Sequence, residues 1–229
     1  MDKGSARAAG VFFVLAAVTA IAALALYQPA LTDPGYVLGA GADTQVLLGG
    51  WLEVVLAATC IGTAVALHPV VRRESESLAL GYLCGRLLEA AVICVGVVAT
   101  LSLVTLRQGG GPQDVPVARA LVALHDWTFL VGPGLVIGVN SLLLALLVHR
   151  ARLVPRWIAV LGLVGGPLVL LSSTAVLFGL LGATSPWRFI AALPVAAWEM
   201  CLAARLIARG FDAPPSGVRP GTLATPALT

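Results

Sequence analysis

The sequence predicts an all-α fold, a bundle of six transmembrane helices with its N-terminus and C-terminus both cytoplasmic. Three observations lead there. Hydrophobic residues fill 59% of the 229 positions against 11% charged, with a mean hydropathy of +0.97, so water is not the main solvent. Aromatic residues are only 6%, which makes the apolar mass Leu, Ala, Val and Gly, the composition of helices packed in lipid. Six apolar segments each supply the roughly 20 residues that a helix needs to cross about 30 Å of hydrocarbon.

The spans run over about 8–27, 46–68, 78–106, 127–149, 156–182 and 188–208, so residues 1–210 form one membrane domain. The first, preceded by Lys3 and Arg7, has some features of a signal peptide. Its apolar run is longer than an ordinary signal core, and a retained helix is the better reading. Between the spans lie turn-rich pieces: Pro29 to Gly41 with Pro34-Gly35, Arg72-Arg73-Glu74, Gly109-Gly110-Gly111-Pro112, Arg150 to Pro155, and Ser185-Pro186. Residues 211–229, polar and proline-rich from Ala213 onward, are expected to be a disordered cytoplasmic tail.

Orientation follows from the basic residues. With the N-terminus inside, the cytoplasmic side holds ten: Lys3, Arg7, Arg72, Arg73, Arg150, Arg152, Arg156, Arg205, Arg209 and Arg219. The outer side holds three, Arg107, Arg119 and Arg188, and Arg86 lies within a span. Trp127, Trp157 and Trp187 fall at span starts, where an aromatic belt would sit. Thirteen of the fourteen basic residues are Arg, a bias that points to a bacterial source and hence to the bacterial inner (cytoplasmic) membrane.

Several function classes are disfavoured. No basic run interleaved with aromatics suggests nucleic acid. Cys60, Cys84, Cys94 and Cys201 all fall in apolar stretches without CxxC spacing, and read as core residues rather than disulfides or metal ligands. No HExxH, phosphate-binding loop, GxSxG or aspartate-rich motif occurs, so no metal or cofactor is expected. No inter-span loop is long enough for a soluble catalytic domain.

Four ionisable residues lie at bilayer depth, where each costs about 2.5–3.5 kcal/mol on insertion scales. They are Glu53 in the second span, Arg86 and Glu89 in the third, and Glu199 in the sixth. Arg86 and Glu89, three apart, share a helix face, and Asn140 of the fourth span reaches a similar depth with both a donor and an acceptor. Small residues accompany them: Glu53, Ala57, Cys60 and Ala64; Ala192, Ala196, Glu199 and Ala203; and Gly134, Gly138, Ser141 and Ala145. Such stripes let helices approach closely, so spans two, three, four and six are expected to converge on the polar set. One Arg cannot neutralise three carboxylates in a low dielectric. Either a Glu holds a proton, or a cation or cationic ligand joins them, or water reaches the site. The structural alternative is an ion pair that fixes helix register.

Gly132-Pro133-Gly134 and Gly165-Gly166-Pro167 interrupt spans four and five, and Pro194 precedes Glu199, so these are read as kinks or as breaks lining a site. His125-Asp126 is the outer-face polar pair. A carboxylate can tune an imidazole, but neighbours on a helix point about 100° apart, and Asp126 could equally cap the helix that begins at Trp127. The two halves have inverted topology, each with a mid-depth Glu in its third helix, Glu89 and Glu199.

The runs Thr44-Gln45-Val46-Leu47-Leu48-Gly49, Gly62-Thr63-Ala64-Val65-Ala66-Leu67, Gly85-Arg86-Leu87-Leu88-Glu89-Ala90, His125-Asp126-Trp127-Thr128-Phe129 and Leu153-Val154-Pro155-Arg156-Trp157 resemble a family of bacterial polytopic membrane proteins known only as a domain of unknown function. The resemblance covers residues 8 to 208 and implies a small inner-membrane protein, with no catalytic or binding residues to carry over. Three readings follow from the residues. In the first, Glu89, Glu199 and Arg86, with Asn140 and Glu53, hold a proton, cation or small polar ligand within the lipid bilayer. In the second, a protonated Glu acts as general acid on a lipid or isoprenoid. In the third, the protein is a structural or accessory subunit.

Overall fold

A computed structural model describes residues 3–33, 35–39 and 43–212. Among them there is no strand, and six helical stretches are long and apolar enough to cross a membrane, as the composition requires. The helices are α1 (Lys3–Thr32), α2 (Asp43–Val71), α3 (Glu76–Gly109), α4 (Val115–Leu130), α5 (Ile137–Arg150), α6 (Arg156–Leu177) and α7 (Pro186–Ala208). A π-helical segment, Val131–Val136, joins α4 to α5 without a break, so Pro112–Arg150 is one 39-residue stretch.

The helices follow one another around a ring, each packed on the next and α7 closing back on α1. At that closure a Cβ on Gly10 of α1 would lie 2.8 Å from the Ala203 carbonyl of α7. The start of α1 and the end of α7 therefore lie on one face of the bundle, here called the terminal face. Lipid is as apolar as Leu, so helix association rests on close packing rather than on removal of surface from water. The α5–α6 contact shows this: a Cβ on Gly166 would lie 2.8 Å from the Gly138 carbonyl, and one on Gly138 2.9 Å from that of Gly166.

The helices run past most of the expected span ends and stop short of one. The helix that carries the fourth span begins at Val115, twelve residues ahead of Trp127, where Pro116 occupies the first turn and the Asp114 carboxylate accepts the Gly111 N–H at 2.9 Å. The fifth ends at Leu177 rather than 182. Gly179, at φ 72°, donates to the Val176 carbonyl and Leu180 to that of Ala175, the bond pair that closes a helix through a left-handed residue. The same bond pair ends α5, but there the left-handed residue is Arg152, at φ 51°. Of the expected tail, Phe211 packs on the core and Asp212 donates its N–H to the Leu153 carbonyl and pairs with Arg205; residues 213–229 lie outside the described residues.

Buried side chains form three layers along the bundle axis. Phe13, Leu67, Tyr82, Leu144, Trp198 and Leu202 fill the layer toward the terminal face, and Tyr27, Val46, Leu103 and Val104 fill one toward the far face. The middle layer is made of smaller side chains, including Ala57, Cys60 and Ala90. Cys60 is the only cysteine fully inside; Cys84 and Cys94 are exposed on the outer surface, contrary to the core reading. In a bilayer the outer surface is apolar too, so hydropathy alone does not separate inside from outside.

Candidate functional site

The small side chains of the middle layer leave a cavity of about 250 Å³, and four of the five proposed ligand-site residues, Glu53, Arg86, Glu89 and Glu199, line it. Ala16, Ala17 and Ala20 of α1 form one wall, with Leu56 and Cys60 of α2 and Ile93 of α3 beside them. Phe129, Pro133 and Ile137 form the opposite wall.

Arg86 and Glu89 are each 3% exposed and paired: Arg86 Nη1 donates to Glu89 Oε2 at 2.9 Å. Their three-residue spacing on α3 places them one above the other, as the sequence suggests. The same Oε2 accepts a second hydrogen bond, from Asn140 Nδ2 at 2.8 Å. Asn140 lies behind the carboxylate and is not part of the cavity wall. It fits there because residue 85 is glycine: a Cβ at that position would collide with Asn140 Oδ1. Arg86 Nε donates to Thr63 Oγ1 at 3.3 Å, and its guanidinium carbon stands 5.6 Å from the centre of the Phe13 ring. Arg86 Nη2 forms no hydrogen bond among the described residues.

Neither Glu53 nor Glu199 has an ion-pair partner among the described residues, and Glu199 has no hydrogen-bond partner among them either. Their immediate electrostatic neighbours differ: Glu199 interacts with Arg86 and Glu89, Glu53 with the buried Tyr27 phenol. The expected small stripe around Glu199 is not a packing face, because Ala196 is exposed. The buried residues of α7 are Val195, Trp198, Leu202, Ala203 and Leu206, and Glu199 enters the cavity from the edge of that face.

The proposed outer pair is divided, His125 facing the interior and Asp126 the outer surface. Residues 125 and 126 lie in the middle of α4, so Asp126 caps no helix end. The His125 side chain is 5% exposed and that of Asp126 70%, with His125 Nδ1 and Asp126 Oδ1 3.7 Å apart, too far for a hydrogen bond. His125 packs edge-on against Tyr27, ring centres 5.7 Å apart, and shares a small cavity of about 10 Å³ with Glu53, Ile93, Phe129 and Pro133. It thus belongs beside the Glu53 end of the acid-lined space.

Of the expected breaks, only Gly132-Pro133-Gly134 alters the helix. A proline ring clashes with the carbonyl four residues back, and the wider π turn accommodates it, with Ile137 N–H donating to the Gly132 carbonyl. Around Pro167 and Pro194, α6 and α7 run through unbroken, and Gly165 and Gly166 serve close packing against α7 and α5.

Sequence reasoning missed Thr63, Phe13, Gly85 and the α1 wall. The spacing Cys60–Thr63–Ala64 was a signal for Thr63, since it continues the small stripe of α2.

A second polar cluster, also unforeseen, lies at the far face. Asp43 accepts from Tyr36 Oη at 3.1 Å, Arg107 Nε at 2.6 Å and Gln108 Nε2 at 3.1 Å, while Arg107 Nη1 donates to the Gly39 carbonyl at 2.7 Å. Burial first, then the bond to Asp43, holds the Tyr36 phenol above its ordinary range. The cluster ties the connection after α1 and the start of α2 to the end of α3. Among the described residues no group of three or more His, Cys, Asp or Glu is arranged to hold a metal.

A family described as Domain of unknown function (DUF4386) matches residues 8–210. No curated protein and no solved structure matches the chain.

Proposed function

The chain belongs to the DUF4386 family, a domain of unknown function, and we propose that this multi-pass membrane protein binds or moves a proton, cation or small polar ligand at an intramembrane site made by Glu53, Arg86, Glu89 and Glu199. One observation carries the reading: three carboxylates and a single guanidinium line the same cavity, and two of those carboxylates, Glu53 and Glu199, have no ion-pair partner among the described residues. Asn140 holds Glu89 in place rather than touching the ligand. An architectural ion pair alone would explain Arg86 and Glu89, but neither the cavity beside them nor the two unpaired acids. The reading includes both termini in the cytoplasm of a bacterial cell, supported by the ten-to-three distribution of basic residues, and reporter fusions at either end test that orientation.

The test of the site is carboxyl infrared difference spectroscopy on protein in nanodiscs, taken through a pH titration and with added monovalent cations. Protonation bands that change in the wild type and disappear in Glu53→Gln and Glu199→Gln support the site. Spectra unaltered by both substitutions would overturn it.

A further inference from the structure

The route by which a ligand reaches this cavity is written in the exposure of its walls. Toward the terminal face it is closed by Phe13, Leu67, Tyr82, Leu144 and Trp198, each no more than 2% exposed. Toward the far face stand Tyr27, Val46 and Leu103, each 1% exposed or less, and Phe129 divides the cavity from a separate one beside Arg188. The side is different. The start of α1 is shut against α7 at Gly10, but farther along α1 the wall residues Ile21 and Leu24 are exposed, Ile21 to 73%, and Ala17 is half-buried. Residues 16–24 occupy the middle of a 30-residue helix, so this rim faces hydrocarbon, not water.

The polar lining limits what can enter there. Arg86, 97% withdrawn from solvent, still has Nη2 without an acceptor, and Glu199 has no donor. The two lie on the same cavity without pairing directly. A group between them must accept from a guanidinium and donate to a carboxyl. A hydroxyl does both, whereas an ammonium would meet Arg86 as a like charge. The volume of about 250 Å³ suits a small head with its chain left outside.

Resting on the intramembrane site proposed above, we infer that its ligand is a hydroxyl-bearing, single-chain amphiphile drawn sideways from the bilayer past Ile21 and Leu24, with its hydroxyl between Arg86 and Glu199 and its chain in lipid.

The experiment measures unfolding midpoints of the full-length protein in nanodiscs against increasing dodecanol, dodecane, dodecylammonium and ethanol. Dodecanol is expected to raise the midpoint at a membrane concentration where dodecane, dodecylammonium and ethanol do not. Its apparent affinity is expected to fall about tenfold or more in Glu199→Leu, which loses the acceptor, and in Ile21→Trp, which fills the rim. Neither variant removes a hydrogen bond or ion pair among the described residues, and either alone tests the idea. Equal effects of dodecanol and dodecane, or dodecanol effects unchanged in both variants, would show mere partitioning and overturn it. Binding of ethanol or dodecylammonium as strong as that of dodecanol also overturns it, while leaving the polar site standing if the infrared bands respond. Silent infrared bands would remove both readings together.

Discussion

Asn140 Nδ2 and Arg86 Nη1 donate to one and the same oxygen, Oε2 of Glu89, from two different helices. A carboxylate buried in lipid is tolerable only with such donors, and hydrogen bonds to charged groups contribute roughly 1.5–3 kcal/mol each. Asn140→Ala is therefore expected to lower stability by about that amount. Gly85→Ala should do the same by expelling the Asn140 amide. The pair is non-additive: with Asn140→Ala already present, Gly85→Ala has little left to displace. Equilibrium unfolding of the four variants in a double-mutant cycle checks this.

Breaking the ion pair from one side leaves a buried charge alone. Glu89→Leu is expected to cost about 3–5 kcal/mol, and the double change Arg86→Met with Glu89→Leu to cost clearly less. Denaturant unfolding in mixed micelles measures both. A double variant worse than either single one would contradict the pairing.

Arg152 occupies a left-handed backbone conformation that costs a side-chain-bearing residue about 1–2 kcal/mol, and the Schellman bonds at this helix end suit glycine. Arg152→Gly is expected to raise the unfolding midpoint, while Gly179→Ala, at the equivalent position after α6, lowers it. Thermal unfolding of the two variants gives opposite signs.

Tyr36 is folded as a neutral phenol whose pKa is raised by burial and by its bond to the Asp43 carboxylate. A group with a raised folded value contributes its stability fully below the unfolded value, about 10 for tyrosine, and loses it as the pH climbs through the folded one. Wild-type stability should fall more steeply above about pH 10 than that of Tyr36→Phe. Midpoints measured across the alkaline range decide it.

Much of this was legible in the sequence. Hydropathy alone gave six spans, because lipid demands long apolar helices, and the cost of charge in lipid singled out Glu53, Arg86, Glu89 and Glu199, which do share one cavity. What hydropathy could not give was the facing of residues whose inner and outer environments are both apolar. Cys84, Cys94 and Ala196 sit in apolar runs indistinguishable from buried ones, yet all three are exposed. His125 lies inside a helix for another reason: α4 begins a dozen residues ahead of Trp127, with Pro116 in its first turn and the Asp114 carboxylate on the Gly111 N–H, features that apolar content does not report. The Asp43 cluster joins residues 64 positions apart, and no local pattern announces such a contact.

The layer of Phe13, Leu67, Tyr82, Leu144 and Trp198 has an electrical meaning as well. All five side chains are buried and three of them are pure hydrocarbon, so a bare charge entering the layer would lose its hydration there. A charge held at the acids would meet that cost before going farther toward the terminal face. Any passage from the acids toward the terminal face would need those five side chains to part.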